Sequence, residues 1–295
     1  MADLRASGVK ASSRAEVPSG AAGTISSGSG ECRLEARVSI LMYHQVGRFK
    51  AMRQHRANYC DAGRFARQMA LLAQGGFNVI ALEQALAGLQ GQQPLPPRAV
   101  LLTFDDAYAG FVEHALPVLV AHAFPAVVYA ISGWVGQRMR WATATPGRAE
   151  PALMSAAQLR GLKDSGVCIG SHGANHRKLG ELALAEQARE LGQSRAALED
   201  LLGQAVPHLC YPFGSFTRAT VQLAAEAGYQ SAMTCLRGAA TGSDHPLVLP
   251  RKAISFGDNL MGFGWKLFKH RPKPALEDWR RWSRERSILQ AGVGP

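Results

Sequence analysis

The sequence predicts a parallel α/β fold built from repeated strand–helix units. Three observations carry that expectation. Short apolar runs such as RVSILMYH (37–44), AVLLTF (99–104) and VCIGSH (167–172) alternate with longer stretches whose apolar residues recur at helical spacing. The intervals between runs are long enough for the helical crossovers that parallel pairing needs. Polar, chemistry-bearing residues sit at the C-terminal ends of the runs, where parallel sheets and barrels gather their sites. Six to eight such units could close a barrel.

Each element has its own signal. After RVSILMYH, the stretch 61–77 places Phe65, Met69 and Leu72 on one helical face and stops at Gly75-Gly76. NVIAL (78–82) reads as a short strand and LEQALAGLQ as a helix. AVLLTF is followed by AGFVEHALPVLVAHAF, a helix expected to break or kink at Pro117. PAVVYAIS (125–132) reads as a strand, and 155–166 as a helix with Ser155 as N-cap. VCIGSH is a strand, 182–203 a long amphipathic helix, and HLCYPFG (208–214) a strand with a turn after it. A helix over 217–228 and strands over 229–235 and 247–254 complete the pattern.

The chain has 295 residues with 47% hydrophobic and 19% charged content, enough for one sizeable core without staples. Residues 1–36 are rich in Ser, Ala and Gly and read as a flexible tail. They hold no apolar h-region, and no later run approaches a membrane span, so a cytoplasmic location is expected. Five cysteines (Cys32, Cys60, Cys168, Cys210, Cys235) without a CxxC suit a reducing compartment, with Cys168 and Cys210 as small buried hydrophobes. The net charge is +11, and residues 261–286 hold eight Lys/Arg against three acids, together with Trp265, Trp279 and Trp282. Residues 258–295 therefore read as a basic, Trp-containing extension beyond a catalytic domain at 37–257. The plain reading packs those Trp on the domain. The sharper one brings the extension to an anionic membrane surface or a polyprenyl-phosphate lipid at the inner face of the membrane. Nucleic acid is the weakest of the three.

Two adjacent carboxylates, Asp105 and Asp106, end the AVLLTF run. Like charges so close oppose ionising both, unless something offsets the second charge. SHGANH (171–176) supplies His172 and His176 at a spacing that lets both imidazoles face one point. Two His and one carboxylate make a common open metal site. One aspartate would then bind the metal and the other would take a proton from the attacking water.

These residues also resemble the polysaccharide deacetylases, the group with the NodB homology domain (carbohydrate esterase family 4). TFDDAY (103–108) and SHGANH are similar to that family's first two motifs, and LMYHQV (41–46), residues 154–172 and YPFGSF (211–216) to their surroundings. The resemblance runs from about Val38 to Ile254. It implies a distorted (β/α) barrel and a divalent metal, usually zinc, with other divalent transition metals as alternatives. It implies N-deacetylation of an N-acetylated glycan, in a polysaccharide or on a lipid, as in cell-surface or exopolysaccharide biosynthesis. On the matching positions it makes Asp105 the general base, Asp106, His172 and His176 the ligands, and the Tyr211 N–H an oxyanion donor. Tyr108, Tyr211, Pro212 and Phe213 would contact the sugar.

Two departures matter. Cys210 stands where many members carry an arginine, and no Leu-x-His follows Tyr211 to supply a general acid. Arg251 in LPRKAI is the candidate to replace the arginine by pairing with Asp105. His44 is the candidate acid, with a merely supporting histidine as the alternative; His245, in a loop, is the lesser candidate. Two other functions stay open: an amidohydrolase of the same fold acting on a non-sugar amide or cyclic imide, and a carbohydrate-binding relative with an impaired site.

Overall fold

The computed structural model describes residues 36–50, 56–141, 150–269 and 272–291, without the side chains of 284–291. The expected N-terminal tail, with Cys32, therefore lies outside the described residues apart from Ala36. The described residues form one compact unit.

The chain opens with β1 (Arg37–Tyr43), β2 (Gln45–Gly47), β3 (Tyr59–Asp61), α1 (Ala62–Gln74), β4 (Asn78–Val79), α2 (Leu82–Leu89) and β5 (Ala99–Phe104). It continues through α3 (Leu116–Ala121), β6 (Ala126–Ala130), α4 (Ala156–Gly161), β7 (Val167–Ser171), α5 (Leu184–Leu202), β8 (His208–Cys210), α6 (Arg218–Glu226) and β9 (Ser231–Arg237). It ends with β10 (Ala240–Thr241), β11 (Leu249–Ala253), α7 (Leu260–Phe268) and α8 (Pro274–Ala291). The pairings β1–β5–β6–β7–β8–β9–β11 return to β1, so seven parallel strands close a barrel. Short β4 flanks the start of β5, and β10 caps the start of β1 antiparallel. Neither β10 nor the parallel β2–β3 pair beside the barrel had a sequence signal; two- and three-residue strands are too short to show a period.

Strand alternation sorts side chains into two layers. Ala99 and Leu101 of β5 face inward with Val38, Ile40, Val127, Tyr129, Met233 and Leu249. Val100, Leu102 and Phe104 face outward, under the helices, with Leu41, Tyr43, Val128 and Ile169. A strand buried on both faces reads as a continuous apolar run, which is what AVLLTF shows.

The helices follow their expected caps. Asp61 accepts the Arg64 N–H at 3.1 Å to start α1, which buries Phe65, Met69 and Leu72. Ser155 and Gln158 form a reciprocal capping box at α4. The helix expected to break or kink around Pro117 is divided there into a π-helical turn, Phe111–Ala115, and α3, with Pro117 in the first turn of α3. A first-turn position leaves no hydrogen bond for the missing N–H to break.

The C-terminal segment is part of the body rather than an extension. Phe263 and Leu267 of α7 enter the outer core, and Leu276 and Trp282 of α8 are buried. Trp279 packs with Trp282 against the α6–β9 side. Arg280 binds both carboxylate oxygens of Asp244 at 2.7 Å. Of the three tryptophans read as a membrane-facing set, only Trp265, 61% accessible, is exposed. Among the described residues no helix is long and apolar enough to cross a membrane.

Candidate active site

Asp105 and Asp106 leave β5 at the C-terminal mouth of the barrel, and the backbone turns sharply there. Asp106 and Ala107 have φ of 72° and 53°. Left-handed backbone is costly for residues with a Cβ and gathers at sites where the surroundings enforce it. His176 (φ 54°) and Phe213 (φ 58°) share it. The reversal lets both carboxylates face the mouth although they are adjacent.

Asp106 is buried, and its Oδ1 has no hydrogen-bond partner. Nε2 of His172 and Nε2 of His176 each lie 3.3 Å from that oxygen. His172 Nδ1 lies 2.7 Å from the Cys210 carbonyl. A ring that donates from Nδ1 leaves Nε2 bare as a ligand. One carboxylate oxygen and two imidazole nitrogens thus lie within 4.8 Å of one another, a donor set that fits a divalent cation. Burial would raise the Asp106 carboxyl, but the two histidines hold it well below the usual carboxylate range.

The SHGANH segment is a loop after β7, not a helical turn, and α5 shapes it. Glu190 Oε2 accepts the N–H groups of Ala174 and Asn175 at 3.1 and 2.9 Å, and Oε1 accepts from Asn175 Nδ2 at 2.8 Å. Glu190 carried no motif. The available signal was a carboxylate on the buried stripe Gln187, Glu190, Leu191, Ser194, Leu198 of an amphipathic helix.

Asp105 continues the inward phase of β5, and Arg251 the inward phase of β11, so they meet inside the barrel. Arg251 donates Nη1 to Oδ1 and Nη2 to Oδ2 of Asp105, both at 2.7 Å. Its Nε donates to the Thr234 carbonyl at 2.9 Å and its Nη2 reaches Cys210 Sγ at 3.1 Å. Cys210 is buried as expected, yet it also serves as an acceptor for this guanidinium. Burial would raise the Asp105 carboxyl; the Arg251 charge and its hydrogen bonds hold it below its ordinary value. A second possible cluster, Asp105, His172 and Cys210, is spent on these contacts, so Asp106 is the better-placed carboxylate for a cation. His44, just past β1, has its Nε2 3.9 Å from Asp105 Oδ2.

Three expected contacts are corrected. The Tyr211 N–H donates to the Met233 carbonyl at 3.1 Å, so the sheet already uses it. The Tyr211 ring is fully buried on Phe216 and its hydroxyl donates to the Leu247 carbonyl. Tyr211 borders the cavity over the aspartates, but its N–H and hydroxyl are both already engaged. Tyr108 is likewise buried, with its hydroxyl 3.1 Å from Met139 Sδ, and it packs beside Trp141 rather than in the cavity. Pro212 is buried and has no N–H. Phe213 is exposed at the mouth with its ring 4.3 Å from that of His176. Trp141, unmarked in the sequence, lies 4.5 Å from His176 on another side. Together with Met42, His44, Asn58 and Cys235 they enclose a cavity of about 250 Å³ over the two aspartates.

Residues 92–232 match the polysaccharide deacetylase family. A Bacillus subtilis (strain 168) protein named for polysaccharide deacetylation is 25% identical over 229 residues, which are 78% of this chain and 75% of that relative. The Escherichia coli (strain K12) poly-beta-1,6-N-acetyl-D-glucosamine N-deacetylase is 38% identical over 68 residues, 23% of this chain but only 10% of that one. A Streptococcus pyogenes deacetylase solved in complex with acetate superposes with a TM-score of 0.69 at 23% identity, over 79% of this chain and 99% of that one. Residues 92–232, which span Asp105, Asp106, His172 and His176 at the mouth of a closed parallel barrel, are thus a polysaccharide deacetylase domain, of a family of hydrolases of the acetamide C–N bond.

Proposed function

We propose that this chain removes the acetyl group from an N-acetylhexosamine in a glycan, with a divalent metal held by Asp106, His172 and His176. The observation that carries the reading is Asp106 Oδ1, buried without a hydrogen-bond partner and 3.3 Å from both imidazole nitrogens. The ion, zinc by preference for one oxygen and two nitrogen donors, would supply Lewis acidity to the carbonyl and acidity to the water.

The chain's own residues do the rest. Asp105 accepts a proton from the attacking water. Arg251 occupies both of its oxygens and the Cys210 thiol also reaches Oδ2, but Oδ1 keeps a second lone pair. The pairing also fixes the direction of the carboxylate, since Arg251 is itself held at Thr234 and Thr103. His44, whose Nε2 lies 3.9 Å from Asp105 Oδ2, delivers the proton that the leaving amine needs. With Tyr211 excluded and Pro212 lacking an N–H, the next amide is that of Phe213. Its left-handed backbone sits at the cavity wall, and it is the proposed donor to the oxyanion. Trp141 and Phe213 flank His176 and offer apolar faces to a sugar ring.

The E. coli relative's name makes β-1,6-linked N-acetylglucosamine oligomers the first substrate to offer. Acetate release from them, abolished by a chelator and restored by zinc, is the expected result. Acetate release that ignores the chelator would overturn the metal role. Failure on sugars combined with release from a small cyclic imide or simple amide would replace the substrate class.

A further inference from the structure

A second cavity adjoins the first. Cys235 and Arg237 are two residues apart on β9, so they point to the same side of the strand, about 7 Å apart. Cys235 lines the cavity over the aspartates, whereas Arg237 lines a neighbouring one of about 410 Å³; Ala57 borders both. The neighbour is walled by Arg237, Lys252, Lys266, Lys269, Lys273 and Trp265, and no carboxylate lines it.

Acids offset only two of the charges there, and Arg251 is the first, paired with Asp105. Lys266 pairs with Asp258. Among the described residues Arg237, Lys252, Lys269 and Lys273 have no carboxylate partner. Lys252 is the most telling. It is buried, yet its ammonium is held only by neutral acceptors, Ser39 Oγ at 2.8 Å and the Leu267 carbonyl at 3.0 Å. A buried cation without a counter-charge is costly, and burial draws its pKa down to about 8. A bound anion would remove that cost. Trp265 stands exposed at the rim with Lys269 Nζ 4.1 Å from its ring centre.

We propose that this cavity binds a phosphate or diphosphate group esterified to the sugar whose acetamide lies over Asp106, His172 and His176. The inference rests on the deacetylase reading above and narrows it: the substrate is an anionic glycosyl phosphate or diphosphate. The ammonium-bearing residues Lys252, Lys266, Lys269 and Lys273 around one cavity suit a multiply charged phosphate oxygen cluster better than a neutral polymer.

The test uses the full chain, treated with chelator so that no ion at the histidines competes for the probe. Inorganic pyrophosphate is titrated against tryptophan fluorescence and by calorimetry. Saturable binding is expected, weakened about tenfold or more in the Lys269→Ala/Lys273→Ala double variant, whose two side chains are exposed. His176→Ala should bind pyrophosphate as the parent does. In the metal-loaded enzyme, KM for N-acetylglucosamine 1-phosphate and for polyprenyl-diphosphate-linked N-acetylglucosamine should lie below that for the neutral disaccharide. The double variant should raise KM for the phosphorylated substrates with kcat unchanged. A lower KM for the lipid-linked form assigns the group to a lipid head; equal values assign it to a soluble ester; both support the cavity's role. Absence of pyrophosphate binding, binding indifferent to the double variant, or a KM blind to phosphate would overturn it. Pyrophosphate binding as expected without acetate release from any of these sugars would instead sink the deacetylase reading and leave the anion site standing.

Discussion

Asp105 and Asp106 are chain neighbours with opposite surroundings, and that difference divides their roles. Asp105 faces a guanidinium, Asp106 two imidazoles. Asp105→Asn should therefore keep the metal and lose turnover by ~10²–10⁴-fold, as expected for removal of a general base. Kinetics and metal analysis on the same folded sample check this; a variant that loses metal while Asp106→Asn retains it would exchange the two assignments. The pair and the two histidines were legible in the sequence because their residue types and spacing name a chemistry. The oxyanion donor was not. Whether the Tyr211 N–H is free depends on Met233, a partner on another strand whose register no local pattern records. Lys252 gives a second residue-level expectation. Its pKa falls from 10.5 to about 8 through burial, so between those values the unfolded chain binds more protons than the folded one. Stability must then rise with pH across that window, and the burial cost is fully present below it. The upper bound is on the order of 3 kcal/mol. Denaturant midpoints measured from pH 7 to 10.5 should rise for the parent relative to Lys252→Met; parallel curves would mean the ammonium carries no such cost.

Elements act here by fixing direction. The inward phase of β5 runs through Leu101 and Thr103 to Asp105, and that of β11 from Leu249 to Arg251, so the buried ion pair follows from strand alternation. Alternation could be read from the sequence; which strand faced which could not, although LPRKAI was a strand carrying an unexplained arginine. Helix α5 has a comparable effect on the histidine loop. Its Glu190 gathers three N–H donors from Ala174 and Asn175, immediately before His176. Glu190→Gln puts an amide where an acceptor is required. Hydrogen bonds to a charged group are worth ~1.5–3 kcal/mol, and groups that orient metal ligands typically change affinity by ~10–100-fold. We expect a lower Tm and zinc affinity reduced within that range in a competition titration. An unchanged affinity with a lowered Tm would make Glu190 a purely structural residue. The π-helical turn before Pro117 shows another limit of local reading: the proline announced a break, but not whether the chain would bend or re-pitch.

The whole molecule is a barrel whose closure brings sequence-distant ends together. β1 pairs with both β5 and β11, which places His44, Asp105 and Arg251 at one mouth. The strand–helix alternation was within reach of the sequence, and the barrel strands follow one another in chain order; that β4 stays outside the barrel and that no helix joins β9 to β11 was not. The C-terminal boundary was not. Basic residues disguised α7 and α8 as a solvated extension, although Phe263, Leu267, Leu276 and Trp282 are core. A chain ending at Gly257 would bare those contacts and is expected to be insoluble or unfolded. Trp282→Ala alone should cost ~3–5 kcal/mol in denaturant unfolding; a cost near zero would return α8 to the status of an appendage. The central claim, one divalent ion held by Asp106, His172 and His176, is tested most directly by the zinc content of the reconstituted, dialysed full chain and of its His176→Ala variant, measured by plasma mass spectrometry. The account predicts one equivalent in the parent and almost none in the folded variant. One equivalent in both would contradict it.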